Sequence, residues 1–96
     1  MGKQKKIPNE NREKIKRIEI KAPIEKISGV YTNRALIHHS KYEFILDFIF
    51  DMMGEANLVS RVITNPFLMK KLYEAIGENI SKYEEKFGKI IKDDNK

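Results

Sequence analysis

Tyr42–Asp51 reads Y-E-F-I-L-D-F-I-F-D. Tyr42, Phe44, Leu46, Phe48 and Phe50 alternate with Glu43, Ile45, Asp47, Ile49 and Asp51. A period of two sustained over ten residues marks a β-strand, because successive side chains of a strand point to opposite faces. This is the strongest strand pattern in the chain, and the rest of the fold is read outward from it.

Immediately upstream, residues 30–39 read V-Y-T-N-R-A-L-I-H-H, which is rich in β-formers and predicts a second strand. Ser40-Lys41 between the two fits a tight hairpin, although it lacks the glycine that primed turns prefer. Downstream, Met52, Met53 and Gly54 mark another turn, and Leu58–Thr64 reads as a further strand. In that strand Leu58 and Val62 share one face and Val59 and Ile63 the other. Nearer the N-terminus, Ile18, Ile20 and Ala22 alternate with Arg17, Glu19 and Lys21, predicting a short strand that stops at Pro23. Ser28-Gly29 is a turn signal.

A helix follows the last strand. Asn65 is a capping residue, and Pro66 stands at the first helical position, where its missing N–H costs nothing. Met69, Leu72, Ile76, Ile80, Tyr83 and Phe87 then recur at helical spacing and form an apolar stripe. Either Gly88 ends the helix, or Ile90 and Ile91 carry the stripe one more turn. The expected fold is therefore α+β, a four-stranded antiparallel meander followed by one long C-terminal helix (β-β-β-β-α). The boundaries are a basic, disordered tail over 1–17, a single domain over 18–91 and a short tail over 92–96.

Register follows from the turns. With Ser40-Lys41 as a two-residue loop, Phe44 faces Ile37, Leu46 faces Ala35, and Phe48 faces Asn33. Face A then collects Tyr31, Ala35, Ile37 and the aromatics of 42–50, and the helix stripe is expected against it. Asn33 on this face needs a hydrogen-bond partner or an edge position. Face B collects Val30, Leu36, Ile45, Ile49, Val59 and Ile63 together with Arg34, Asp47 and Arg61. The same loop sets Arg34 opposite Asp47, and a turn centred on Gly54 sets Arg61 on its other side. A cross-strand row Arg34–Asp47–Arg61 is predicted. One helix cannot cover both faces of the sheet, so an apolar face B implies an interface. A homodimer is the expected use of it, with Leu36, Ile45, Ile49, Val59 and Ile63 as candidate contacts.

The 96 residues suffice for one small domain, and a modest core. No apolar run reaches the length of a membrane span, so no membrane partner is expected. The charged N-terminal stretch has no apolar centre and does not read as a secretory signal, which makes the cytoplasm the expected location. There are no cysteines, which excludes disulfides and thiol chemistry. His38 and His39 are neighbours on a strand and point to opposite faces, so they cannot easily share a metal. The glycines, at 2, 29, 54, 77 and 88, form no phosphate or dinucleotide loop. No catalytic residue, metal site or cofactor is expected, and the protein reads as non-enzymatic.

The net charge of +5 is concentrated at the N-terminus. Lys3, Lys5, Lys6, Arg12, Lys14, Lys16 and Arg17 face only Glu10 and Glu13 there, while the remaining residues balance. A basic arm of this kind either attracts phosphates or, the plainer reading, is a solvated tail that only aids solubility.

Gly29–Phe48 and Arg61–Gly88 resemble a family of short bacterial and archaeal proteins with a domain of unknown function (DUF thirty-four sixty-seven). The residues that carry the resemblance are Tyr31 and Asn33; Ser40, Glu43 and Phe44; Leu46 to Phe48; Arg61 and Val62; and Lys82 to Gly88. Together they place residues 18–90 in the family pattern. The departure is Arg34, where that pattern has an apolar residue. The resemblance implies a fold and no activity, so it assigns no functional residues. The β-β-β-β-α order also resembles that of dimeric single-strand-binding coactivators of the PC-four and Whirly type, by topology alone.

Two functions are therefore expected of a dimeric, non-enzymatic binding protein. One is single-stranded nucleic-acid binding, with the basic residues of 1–17, Arg34 and Arg61 as contacts. The alternative is a protein-interaction module that docks on a larger complex.

Overall fold

The structure is a computed structural model that describes residues 3–7 and 18–92. Its elements are β1 (Lys3–Ile7), β2 (Ile18–Ala22), α1 (Ile24–Ile27), β3 (Arg34–His39), β4 (Phe44–Met52), β5 (Glu55–Thr64) and α2 (Pro66–Phe87). The class is α+β, with antiparallel strands and a long C-terminal helix. The four strands and the helix read from the sequence appear in the expected order as β2, β3, β4, β5 and α2.

Pairing adds two details. β2 pairs with β1, Ile7 opposite Ile18, while β3, β4 and β5 form a separate three-stranded sheet. Part of the stretch expected to be a disordered tail is thus a strand. The chain divides into two compact units, Met1–Tyr31 and Thr32–Lys96, where the sequence suggested one domain over 18–91. No helix among the described residues is long and apolar enough to cross a membrane.

In the first unit, β2 ends at Pro23 as expected, and α1 follows as a single turn. In the second unit, β4 is the central strand and carries the two buried residues among those described, Leu46 and Asp47. They are neighbours, so they lie on opposite faces of the sheet.

The β3–β4 connection is longer than the sequence suggested. Residues 40–43 form it, closed by Ser40 N–H donating to the Glu43 carbonyl at 2.9 Å. The Ser40 Oγ accepts from the backbone N–H of Tyr42 (3.2 Å) and of Glu43 (3.3 Å). Without glycine a two-residue primed turn is disfavoured, and the serine hydroxyl supplies the missing turn bonds instead. The register therefore moves by two: Ile37 faces Leu46, Leu36 faces Asp47, and Arg34 faces Ile49. A shift of two keeps every side chain on its expected face. Faces A and B keep their identities in the strands, and Arg34 and Arg61 share face B.

The β4–β5 hairpin is tight. Met53 (φ 54°) and Gly54 (φ 80°) both adopt positive φ, the signature of a two-residue primed turn. A bulge lies between Phe48 and Ile49, which face Ser60 and Leu58. Val59 is the extra residue of that bulge and drops out of the alternation. Leu58, expected on face A, faces Ile49 on face B in its place.

Asn33 finds the partner it needs. Its Nδ2 donates to the Asp51 carbonyl and its Oδ1 accepts the Asp51 N–H, both at 2.9 Å. Thr32 Oγ1 donates to the Ile49 carbonyl at 2.7 Å. The two side chains prolong the β3–β4 pairing ahead of the first residue of β3.

α2 begins where the sequence placed it and ends at the earlier of the two stops the sequence offered. Asn65 Oδ1 accepts the Leu68 N–H at 2.8 Å, Pro66 opens the helix, and Gly88 (φ 96°) closes it. The helix does not lie across the sheet of its own chain, as the sequence reading expected. No strand makes an extended contact with it, and Ile76 remains 50% exposed and Ile80 43% exposed. Only Met69 and Leu72 of the stripe are half-buried.

Candidate functional site

Asp47 is the most organised polar group of the described residues. β4 places it at the centre of face B, flanked by β3 and β5. It is 5% exposed, yet all its partners reach it from the half-exposed rim. Arg61, directly opposite on β5, donates from Nε to Oδ1 at 2.6 Å and from Nη2 to Oδ2 at 2.8 Å. This is the two-pronged pairing that a planar guanidinium makes with a carboxylate. His38 Nε2 lies 3.0 Å from Oδ2. With the carboxylate ionised, that nitrogen carries the hydrogen and donates it.

The arrangement holds the Asp47 carboxyl down at about 2, from an ordinary 3.8. The Arg61 hydrogen bonds are the largest cause and the His38 bond the second, against the opposing effect of burial. Arg61 is pushed up in turn by the same pair. A carboxylate this acidic is a poor proton acceptor near neutral pH and has no proton to give there. The cluster locks three strands in register with charge.

The predicted row Arg34–Asp47–Arg61 is thus half right. Arg61 is where the sequence put it. Arg34, displaced by the longer β3–β4 loop, sits opposite Ile49 and binds Asp51 Oδ2 through Nη2 at 2.8 Å. His38 takes the place expected for Arg34. Its strand parity already put it on face B, and only the assumed loop length hid its neighbour. His39 lies on face A, its ring 5.4 Å from that of Phe44.

Of the candidate dimer contacts, Leu36, Ile45, Ile49 and Ile63 surround this cluster on face B, while Val59 forms the bulge. Of the candidate nucleic-acid contacts, Arg34 and Arg61 are each paired with a carboxylate. Lys3, Lys5 and Lys6 belong to β1. Arg12, Lys14, Lys16 and Arg17 lie outside the described residues.

The second organised surface is apolar. Leu72, Ala75, Ile76, Ile80, Tyr83 and Ile90 line a shallow groove along α2. Ile90 is held there by its N–H, which donates to Glu84 Oε2 at 3.0 Å. The same stripe could be read from sequence spacing, with Ile90 as one continuation of it, but not that Ile90 joins it from beyond the end of the helix.

Residues 4–92 match the family described as Protein of unknown function (DUF3467). The chain belongs to the DUF3467 family. The match takes in β2 through α2, and with them the Asp47 cluster and the apolar stripe of α2. No curated protein and no solved structure matches the chain. Membership of DUF3467 fixes the kinship of the fold and assigns no activity.

Proposed function

We propose that this DUF3467 protein is a non-enzymatic protein-interaction module that works as a homodimer. One observation carries the reading. In the unit Thr32–Lys96, apolar side chains stand uncovered on both sheet faces and along α2, including Leu36, Ile37, Val62, Ile76 and Tyr83. Leu46 is the one buried apolar residue among those described. Apolar area of this extent marks a surface made to be covered by protein. A second copy is the partner always present at the protein's own concentration, and closed two-fold pairs are the commonest assembly. Face B, with five aliphatic side chains around a neutralised charge cluster, is then the surface the pair offers to a larger complex.

Light scattering tests the reading. The expected mass is that of two 11.3 kDa chains, and a monomer at micromolar concentration overturns it.

A second reading, single-stranded nucleic-acid binding, is favoured by one feature, the excess of seven basic over two acidic residues in 1–17. Against it, Arg34 and Arg61 are engaged by Asp51 and Asp47. Salt-dependent retention of mixed-sequence single strands, lost on removing residues 1–17, would establish that reading.

A further inference from the structure

Resting on the reading that the protein pairs, we infer that the pair is built by exchange of helices. The apolar stripe of α2 in one copy lies across face A of the β3-β4-β5 sheet in the other, and the second copy returns the same contact.

Each copy holds both halves of a two-layer core and joins neither to the other. One residue, Asn65, separates β5 from α2, and its side chain caps the helix, so the direction in which α2 leaves the sheet is fixed. The helix then makes no extended contact with any strand of its own sheet. A three-stranded sheet needs a covered face to persist in water, and an amphipathic helix needs a partner for its stripe.

The two surfaces match in length. From Met69 to Phe87 the stripe runs about 27 Å at the rise of an α-helix. The nine residues of β4 span about 30 Å at the rise of a strand.

Polarity selects the face. Burial of the stripe on face B would strip water from Arg34, Asp51, Arg61 and His38, each of which still meets solvent. Desolvating such groups is costly. Face A offers Ala35, Ile37, Phe44, Leu46, Phe48 and Val62 as a contiguous apolar block, with uncharged or unpaired polar groups (Ser60, Thr64, Asn57 and His39) around it and no carboxylate–guanidinium pair among the described residues. Ile37 and Val62 flank Leu46 there and are 57% and 46% exposed in the single copy. A standard stable interface removes about 1,200–2,000 Å² from water, and the exchange engages two helix-on-sheet contacts of this length to reach it.

The absence of cysteine makes the test clean, since any disulfide reports only introduced pairs. One copy carries Ile76→Cys or, one turn further along α2, Ile80→Cys. A differently tagged copy carries Ile37→Cys on face A or Leu36→Cys on face B. The two are unfolded together, refolded and oxidised. The mixed disulfide with Ile37→Cys is expected to exceed that with Leu36→Cys severalfold, because adjacent strand residues point to opposite faces. Val62→Cys gives a second face-A position on another strand should Ile37→Cys fail to refold. A dominant disulfide between two Ile76→Cys chains means that α2 packs on α2, and it overturns the exchange. So does preference for Leu36→Cys, or a dimer of native mass that cross-links at none of these positions. A wild-type chain of monomer mass removes the pairing itself, and with it the reading on which the exchange rests.

Discussion

At the scale of single residues, Asp47 carries the most decisive chemistry. Its carboxyl titrates at about 2 in the folded chain and at an ordinary 3.8 when free of its partners. The folded value lies below the unfolded one, so the unfolded chain takes up the proton first. The stabilisation is therefore complete above 3.8 and is lost as the pH falls through that value toward 2. Denaturant midpoints of the wild type are expected to fall steeply across this window. Asp47→Asn should lose most of that slope and start lower at neutral pH, and an unchanged slope would contradict the role given to this carboxylate. Arg61→Lys separates charge from geometry. It keeps the cation and removes the two-pronged contact, so its thermal midpoint should fall well below that of the wild type, toward that of Arg61→Ala. The Asp47–Arg61 pair was read from a turn centred on Gly54; the observed Met53-Gly54 turn alone would set Asp47 opposite Ser60, and the extra residue at Val59 restores Arg61 to that place. His38 was not legible, because Ser40 closes a four-residue loop through its hydroxyl, and nothing in the alternation of the strands reveals loop length.

At the scale of elements, legibility tracks how local the determining interactions are. The start of α2 was readable, since its cap and its first-turn proline act within a few residues of where they stand, whereas its end lay open between Gly88 and a further turn through Ile91. Asn65→Ala is expected to cost about 1 kcal/mol through loss of the Leu68 N–H acceptor. Asn65→Asp should hold stability close to wild type, since it keeps the acceptor and favours the helix dipole. Both are read by chemical denaturation of the full chain. β4 was equally plain, its alternation uninterrupted from Phe44 to Met52. The bulge at Val59 was invisible, because an extra residue in one strand appears only when its partner strand is laid beside it. β1 was missed for another reason. K-Q-K-K-I has no apolar alternation, and its pairing with β2 is a contact between segments that local patterning does not reach.

At the scale of the whole molecule, the described residues bury one apolar side chain, Leu46. The sequence pattern assigned the apolar residues of β3 and β4 to the right faces and misplaced Leu58 and Val59 on β5. It then laid α2 over face A of its own sheet, and the structure leaves that face and the helix stripe apart. Periodicity says which side chains must be buried, and it cannot say whether the cover comes from the same chain. Folding coupled to pairing has a thermodynamic signature. Tenfold dilution should weaken the folded pair by about 1.4 kcal/mol and lower its denaturation midpoint, whereas a self-sufficient monomer has a midpoint independent of concentration. Ile80 sharpens the same point. It is 43% exposed on a single copy, and for a folded monomer a polar replacement at so open a site changes stability by about 0.5 kcal/mol or less. In the exchanged pair Ile80 is buried against the partner's sheet, and Ile80→Asp forfeits the roughly 1.5–3 kcal/mol of a buried aliphatic side chain and leaves a charge without water. Ile80→Asp is therefore expected to abolish the dimer peak in light scattering and to lower the denaturation midpoint steeply at micromolar concentration. A variant that keeps both the mass and the midpoint of the wild type would show that this stripe stays in water.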